Sequence, residues 1–381
     1  MNNPKRRILL LGDASNCHNS LATGLKRLGH DVDVASSGSS FMNTHRDIDL
    51  RRRLPWKLGG LDMMMRAMKF VRDHAKDYDI ISVKSPLFLD LRPHRCRYVF
   101  DELLKLNSNV FMTHLATDTF YIDACFDPNN PFRYNEWIAA GEYTSYYKAR
   151  PDILEGWTSE DMRKTCENVY GKIKGTTPVL YEYHMTSLRH LPPEKVGYIG
   201  IPIDTSAMRF VPPPERIDRV KILLGRHSKR MSEKGTDMFE VAAKAVVDRY
   251  PTRAQLDIVE DLSFYEYIER QEQAHLLLDQ VYSYTPATNA LQAMAMGKNV
   301  VTGGEPEYYD FIGEKENRPI INVTPDYESI ERAIEQVILH PEQMAERGKR
   351  SREFVVKHND TAVVTQRAIN FWESRISEDP S

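Results

Sequence analysis

The feature that most constrains this chain is a strand–helix alternation that runs twice, with three consecutive prolines between the runs. The apolar stretch Arg7–Leu11 reads as a strand. The turn Gly12-Asp13-Ala14-Ser15-Asn16 follows, then a helix with Leu21, Leu25 and Leu28 on one face and Gly29 at its end. Residues 30–35 alternate like a second strand, so the chain opens on a β-α-β unit, which calls for a parallel pair and a right-handed crossover. Helices over 63–74 and 97–106 and strands over 80–83 and 109–114 continue the rhythm. Residues 43–60 read as charged and irregular, 120–160 as a long excursion with helical parts, and 178–180 and 196–199 as short strands. Pro212-Pro213-Pro214 breaks the pattern, because consecutive prolines neither continue a helix nor donate to a ladder. From Val220 it restarts, with strands over 220–225, 255–259, 277–282 and 299–301 and helices over 238–248, 265–275 and 289–296; a last helix reads over 361–374.

Such a pattern specifies an α/β protein, and its 381 residues exceed the ~250–300 at which single cores stop growing. The expected organisation is two tandem Rossmann-like domains with an interdomain cleft. Residues 1–203 form the first and 220–360 the second, 204–219 link them, and the helix in 361–381 packs back on the first.

Other classes are disfavoured by what the chain lacks. Lys and Arg number 51 against 54 Asp and Glu, a net charge of −3 that gives nucleic acid no basic field to bind. Cys17, Cys96, Cys125 and Cys166 form no C-x-x-C pair and read as reduced thiols of a cytoplasmic protein. Lys5-Arg6-Arg7 precedes an apolar run that ends at Gly12-Asp13, shorter than the ~7–15 residues of a signal h-region, and no run approaches the ~20 that span a bilayer. The first turn lacks the second and third glycines of G-x-G-x-x-G, and there is no Walker loop. Asp31-Val32-Asp33, Asp47-Ile48-Asp49 and Asp77-Tyr78-Asp79 have D-x-D spacing but read as solvated acids, so neither metal nor cofactor is expected. Met63, Met64, Met65 and Met68 read as core packing, with a membrane-facing patch as the alternative. The triplets at 5–7 and 51–53 are solvated charge by default, with anionic lipid or an anionic acceptor as alternatives, so peripheral contact with the inner face of a membrane stays open.

Two stretches carry the chemistry. Gly225-Arg226-His227-Ser228-Lys229-Arg230-Met231-Ser232-Glu233-Lys234-Gly235 runs from a strand end through four cations to a helix start, which reads as an anion site by charge and by backbone N–H groups, with a solvated basic loop as the alternative. At the carboxyl edge of an open sheet it suits a nucleotide diphosphate leaving group. Tyr282 to Val301 again runs from a strand through a turn to a helix start, with amides of Ala287, Thr288 and Asn289 available to a phosphate or sugar.

The segment Val220 to Val301 resembles the C-terminal domain of retaining GT-B glycosyltransferases, glycosyltransferase family four. Gly225-Arg226 and Lys234-Gly235 match that family's Gly-Arg and Lys-Gly pairs, and Leu278-Asp279-Gln280 loosely its Ala-Asp strand end. Gln292-Ala293-Met294-Ala295-Met296-Gly297-Lys298-Asn299-Val300-Val301 resembles its Glu-Ala-Met-Ala-x-Gly-x-x-Val-Val block. Tyr198 to Asp204 and Gly29 to Val32 add weaker likeness.

The resemblance implies a metal-independent transfer from a nucleotide-diphosphate sugar to a glycan or lipid-linked acceptor, with retention. Arg226 and Lys234 would bind the diphosphate, with Lys229 or Arg230 as substitutes for Lys234. Tyr284, Thr285, Ala287, Thr288, Asn289 and Gln292 would surround the donor, His114 would serve catalysis, and Gly12, Asp13, Asn16 and Asp118 would face the acceptor; Asp13 also suits a helix cap. The family's two glutamates, eight positions apart, fall on Tyr284 and Gln292. Gln292 keeps hydrogen bonds to ribose hydroxyls, while Tyr284 offers no carboxylate. A catalytically silent nucleotide-sugar binder and a nucleotide-sugar epimerase of the same fold therefore stand as alternatives.

Overall fold

The computed structural model describes residues 4–39, 42–130, 132–228 and 231–377. They form two compact units, the first from the described residues of 1–124, 152–202 and 361–381, the second from those of 125–151 and 203–360. The first unit holds β1 (Arg7–Leu11), β2 (Asp31–Ser36), β3 (Ile48–Asp49), β4 (Ile80–Val83) and β5 (Val110–Met112), all parallel, in the order β3-β2-β1-β4-β5. Nearly continuous apolar runs such as Ile8 to Leu11 and Ile80 to Ile81 suit strands covered on both faces, and these residues are buried. One cover is the helix Thr361–Ser377, whose Trp372 is fully buried with its ring 6.1 Å from Phe111. Phe371 fills the space beside Gly175 and Gly197, where a Cβ would lie 2.8 and 2.4 Å from its ring.

The second unit begins with a small hairpin, β6 (Ile138–Ala139) and β7 (Glu142–Tyr143). Its main sheet comprises β8 (Val220–Arg226), β9 (Ala254–Glu260), β10 (Leu276–Leu278), β11 (Asn299–Thr302) and β12 (Ile321–Asn322), parallel throughout, in the order β12-β11-β10-β8-β9. Val220, Ile222, Leu224, Phe239, Leu276, Leu278 and Ile334 belong to one apolar core between this sheet and its helices.

Four expectations change. Residues 125–151, assigned to the first domain by the sequence, cluster with the second unit, because Arg133 and Tyr134 bond to Glu305 there. Residues 204–219, expected as a linker, pack on the second unit. Val211 N donates to Met296 O at 2.8 Å, Arg352 donates to Thr205 O at 2.8 Å, and Phe210 covers Gly297. Prolines cannot donate to a ladder, but here their stretch is tied down by its neighbours' hydrogen bonds. No strand forms at 178–180, and the one expected at 196–199 reduces to a single bridge from Val196 to Thr176, which also bridges Met112. Met63 and Met68 join the core, while Met65 is exposed.

Replacing Trp372 by alanine is expected to cost about 3–5 kcal/mol, as a large cavity under a parallel sheet does, read as a lower urea midpoint.

Candidate functional site

The second sheet changes direction between β8 and β10, with β9 on one side and β11 and β12 on the other. At such a switch point the crossover helices diverge and leave a crevice at the strand carboxyl ends. Arg226 is the last residue of β8, and Asp279 directly follows β10. From β8 the chain reaches the short helix Met231–Lys234 and then Gly235, whose φ of +70° turns it into the helix Thr236–Arg249. A Cβ on Gly235 would lie 2.1 Å from Val281 Cγ2, so glycine is what lets the Lys234 turn close on the strand end.

Asp279, only 1% exposed, gathers this region. Lys234 Nζ lies 3.7 Å from its Oδ1, and Asn289 Nδ2 donates to the same oxygen at 2.8 Å. Gln271 Nε2 donates to Asn289 Oδ1 at 2.8 Å. Two expected donor-site residues from separate elements, Lys234 and Asn289, thus meet on one buried carboxylate, whose Oδ2 has no hydrogen-bond partner among the described residues. Asn289 lies in the first turn of the helix Thr288–Ala295, where backbone N–H groups precede any i−4 carbonyl. Tyr267 fills the space that Gly225 leaves empty, and burial pushes its phenol up.

Arg226 is half-buried between two acids. Its Nε is 2.7 Å from Glu260 Oε2, and its Nη1 pairs with Glu240. The hydrogen bond from Lys244, 2.6 Å long, holds the Glu240 carboxyl below its ordinary range and keeps it ionised. An arriving anion would therefore exchange against carboxylates at Arg226. Thr285 is buried, and Ala287, Thr288 and Gln292 are half-buried around the helix start. Lys229 and Arg230 lie outside the described residues.

Tyr284 is packed against residues 132–134. It is 1% exposed, and its hydroxyl accepts the Arg133 N–H at 2.5 Å. The Phe132 and Tyr134 rings lie 5.1 Å from its own. Burial pushes its phenol up to about 12. Where a carboxylate would have stayed in solvent, an aromatic ring attracts cover, and residues 132–134 supply it. Arg133 pairs with Glu305 and Glu307, and Glu305 also accepts from Tyr134 Oη at 2.5 Å and Asn322 Nδ2 at 2.9 Å.

In the first unit the switch point falls between β1 and β4. Gly12 has φ +82°, and a Cβ there would strike Phe88 O at 2.5 Å. Asp13 is 3% exposed: Oδ1 accepts the His18 N–H at 2.9 Å, and Oδ2 accepts from Thr44 Oγ1 at 2.9 Å and Asn19 Nδ2 at 3.2 Å. It anchors the start of the helix Cys17–Arg27, as the helix-cap reading of this residue expects. Asn16, at φ 62°, precedes that helix without a side-chain cap bond. His18 is fully buried with Nδ1 2.5 Å from Gly12 O, and burial lowers its pKa to about 4. His114 and Asp118 are also fully buried. Tyr170 Oη donates to Asp118 Oδ2 at 2.9 Å, His114 Nδ1 lies 3.3 Å from Ser187 Oγ, and the His114 ring stacks on Tyr183 at 4.3 Å. They form an enclosed polar cluster beyond the end of β5. The partners that sequence reasoning missed, Tyr267, Gln271, Glu240, Glu260, His18 and Tyr170, come from other elements and carry no motif spacing.

No protein-family model matches this chain, and no curated protein sequence matches it. Solved structures are similar to it. A sucrose-phosphate synthase from Thermosynechococcus elongatus superposes with TM-score 0.64 at 14% identity, covering 98% of this chain and 100% of that one. Anabaena HepE in complex with UDP-glucose does so with TM-score 0.61 at 12% identity, covering 97% and 100%. A putative UDP-N-acetylglucosamine 2-epimerase from Listeria monocytogenes gives TM-score 0.55 at 12% identity, covering 99% and 98%. These likenesses establish the fold as GT-B, which glycosyltransferases and nucleotide-sugar epimerases share.

The buried histidine sets a pH dependence. The folded pKa of His18 lies below the unfolded value near 6.5, so the unfolded state binds the proton first and stability falls as pH drops from about 6.5 to about 4. His18→Asn is expected to remove ~2–3 kcal/mol of that loss, read by comparing urea unfolding at pH 7 and pH 4.5.

Proposed function

We propose that this chain is a metal-independent glycosyltransferase that moves a sugar from a nucleotide-diphosphate donor to a glycan or lipid-linked acceptor. The observation that carries the reading is the meeting of Lys234 and Asn289 on Asp279 at the switch point of the second sheet, one strand from Arg226. Lys234 and Arg226 would take up the charge that develops on the diphosphate as the sugar C1–O bond breaks. The first-turn amides of Thr288–Ala295 would orient the phosphates, and Gln292 would hold the ribose hydroxyls. The acceptor oxygen attacks C1, and its proton leaves with the nucleoside diphosphate; attack from the leaving-group face gives retention. Anabaena HepE, which shares the fold, is solved with UDP-glucose, which supports a nucleotide sugar as ligand.

A second reading is a nucleotide-sugar binder without turnover. It is favoured by Tyr284, buried where the family has a carboxylate, and by the two acids on Arg226. An epimerase is favoured by the Listeria neighbour.

Incubating the protein with a panel of nucleotide-diphosphate sugars, with and without glycan acceptors, separates the three by product mass and NMR. Transfer yields nucleoside diphosphate and extended acceptor in equal amounts, and Lys234→Ala should lower kcat/KM by ~10²–10³. Binding with no product from any donor would establish the silent reading, and an epimerised donor without acceptor would establish the epimerase.

A further inference from the structure

The helix Trp56–His74 of the first unit presents two faces. Met63, Ala67, Met68 and Val71 enter the core beside Phe100 and Leu103. On the other side Leu58 and Leu61 are 66% and 46% exposed and Met65 58%, with Leu54 just before the helix at 49%. Steps of three and four residues put Leu58, Leu61 and Met65 in one line, which Lys69 and Arg72 extend, both exposed. Single exposed leucines need no explanation; a line of three long apolar side chains, with a fourth exposed leucine just before the helix, does.

The charge around the stripe is net positive, with Asp62 and Asp73 as the only acids of the stretch. Residues 51–76 contain eight Lys and Arg against two Asp, six net positive charges in a chain whose total is −3. Arg51 is paired with Asp49, and Arg66 with Asp62. Arg52, Arg53, Lys57, Lys69 and Arg72 are exposed and make no ion pair with a carboxylate among the described residues. Arg52 and Arg95 also converge. Both lie over Gly60, where a Cβ would be 2.8 Å from Arg52 Nη2 and 3.2 Å from Arg95 Nη1, with no acid paired to either among the described residues. Two guanidiniums gathered without a counterion are poised for an anion such as a phosphodiester.

We propose that this face docks on an anionic phospholipid bilayer. The line Leu58, Leu61 and Met65, with Leu54 beside the helix start, enters the headgroup boundary, and Arg52, Arg95, Lys57, Lys69 and Arg72 take lipid phosphates. An apolar stripe flanked by cations fits a surface that is apolar within and anionic outside, and a soluble polyanion has no use for the leucines. No helix among the described residues is long and apolar enough to cross a membrane, so the contact is interfacial. The proposal does not depend on the catalytic reading.

Flotation with phosphatidylcholine vesicles, with and without phosphatidylglycerol, tests it on the full chain. The protein should float with the anionic vesicles, release as salt rises, and stay behind with phosphatidylcholine alone. Arg52→Gln/Arg95→Gln should lower partitioning about fivefold per cation removed. Leu58→Ser/Leu61→Ser/Met65→Ser should abolish flotation while the melting temperature stays that of wild type. The proposal is overturned if wild type fails to float at low salt. It is equally overturned if the triple serine variant floats like wild type and dextran sulfate displaces both, which marks a polyanion site. Concentration-dependent dimers lost in the serine variant, with no flotation, would mark a contact between copies and also overturn it.

Discussion

A carboxylate buried at the end of a central parallel strand must be answered by donors, and Asp279 meets that constraint with side chains from two other elements. Asn289 comes from the helix that follows β10 and Lys234 from the turn that follows β8. Each is committed to the same oxygen, so the two loops that border the switch point of the second sheet hold a fixed relation. Gln271 extends the network by fixing Asn289, and Tyr267 seals it from beneath Gly225. Removing Asp279 would leave a lysine and an amide with no common partner, which makes this one interaction the organiser of the region.

The same acids set the electrostatics. Arg226 and Lys234 are the cations that the proposed function assigns to a diphosphate, and each already has a carboxylate partner. Glu240, Glu260 and Asp279 hold these two side chains in place. The cost under the proposed function is competition, because a diphosphate would have to displace Glu240 or Glu260 from Arg226 to gain full contact. A diphosphate offers more charge and more acceptor oxygens than a monophosphate, so the exchange favours the former.

How much of this the sequence reveals depends on the range of the interaction. Strands such as Arg7–Leu11 and Val220–Arg226 are legible because burial on both faces demands continuous apolar residues. The Lys234-Gly235 turn is legible because its glycine is dictated locally by a positive φ. Tyr284 is expected at the donor site from the family resemblance, while its packing is set by Arg133, 151 residues away. His114 and Asp118 sit where a strand ends, as expected, and are enclosed by Tyr170, Tyr183 and Ser187 from later helices, which no local pattern announces. The triple proline marked a break in the rhythm correctly. It did not reveal that the flanking chain is tied to the second unit through Arg352 and Met296.

The central claim is that Arg226 and Lys234 hold a pyrophosphate. Calorimetric titration of nucleoside diphosphate and the matching monophosphate tests it most directly, into wild type and into the Arg226→Ala/Lys234→Ala variant. The account predicts that wild type prefers the diphosphate by at least ~tenfold, as one charge-assisted contact to an added phosphate gives, and that the variant loses this preference. Equal affinities for the two nucleotides in wild type, or a preference that survives in the variant, would contradict it.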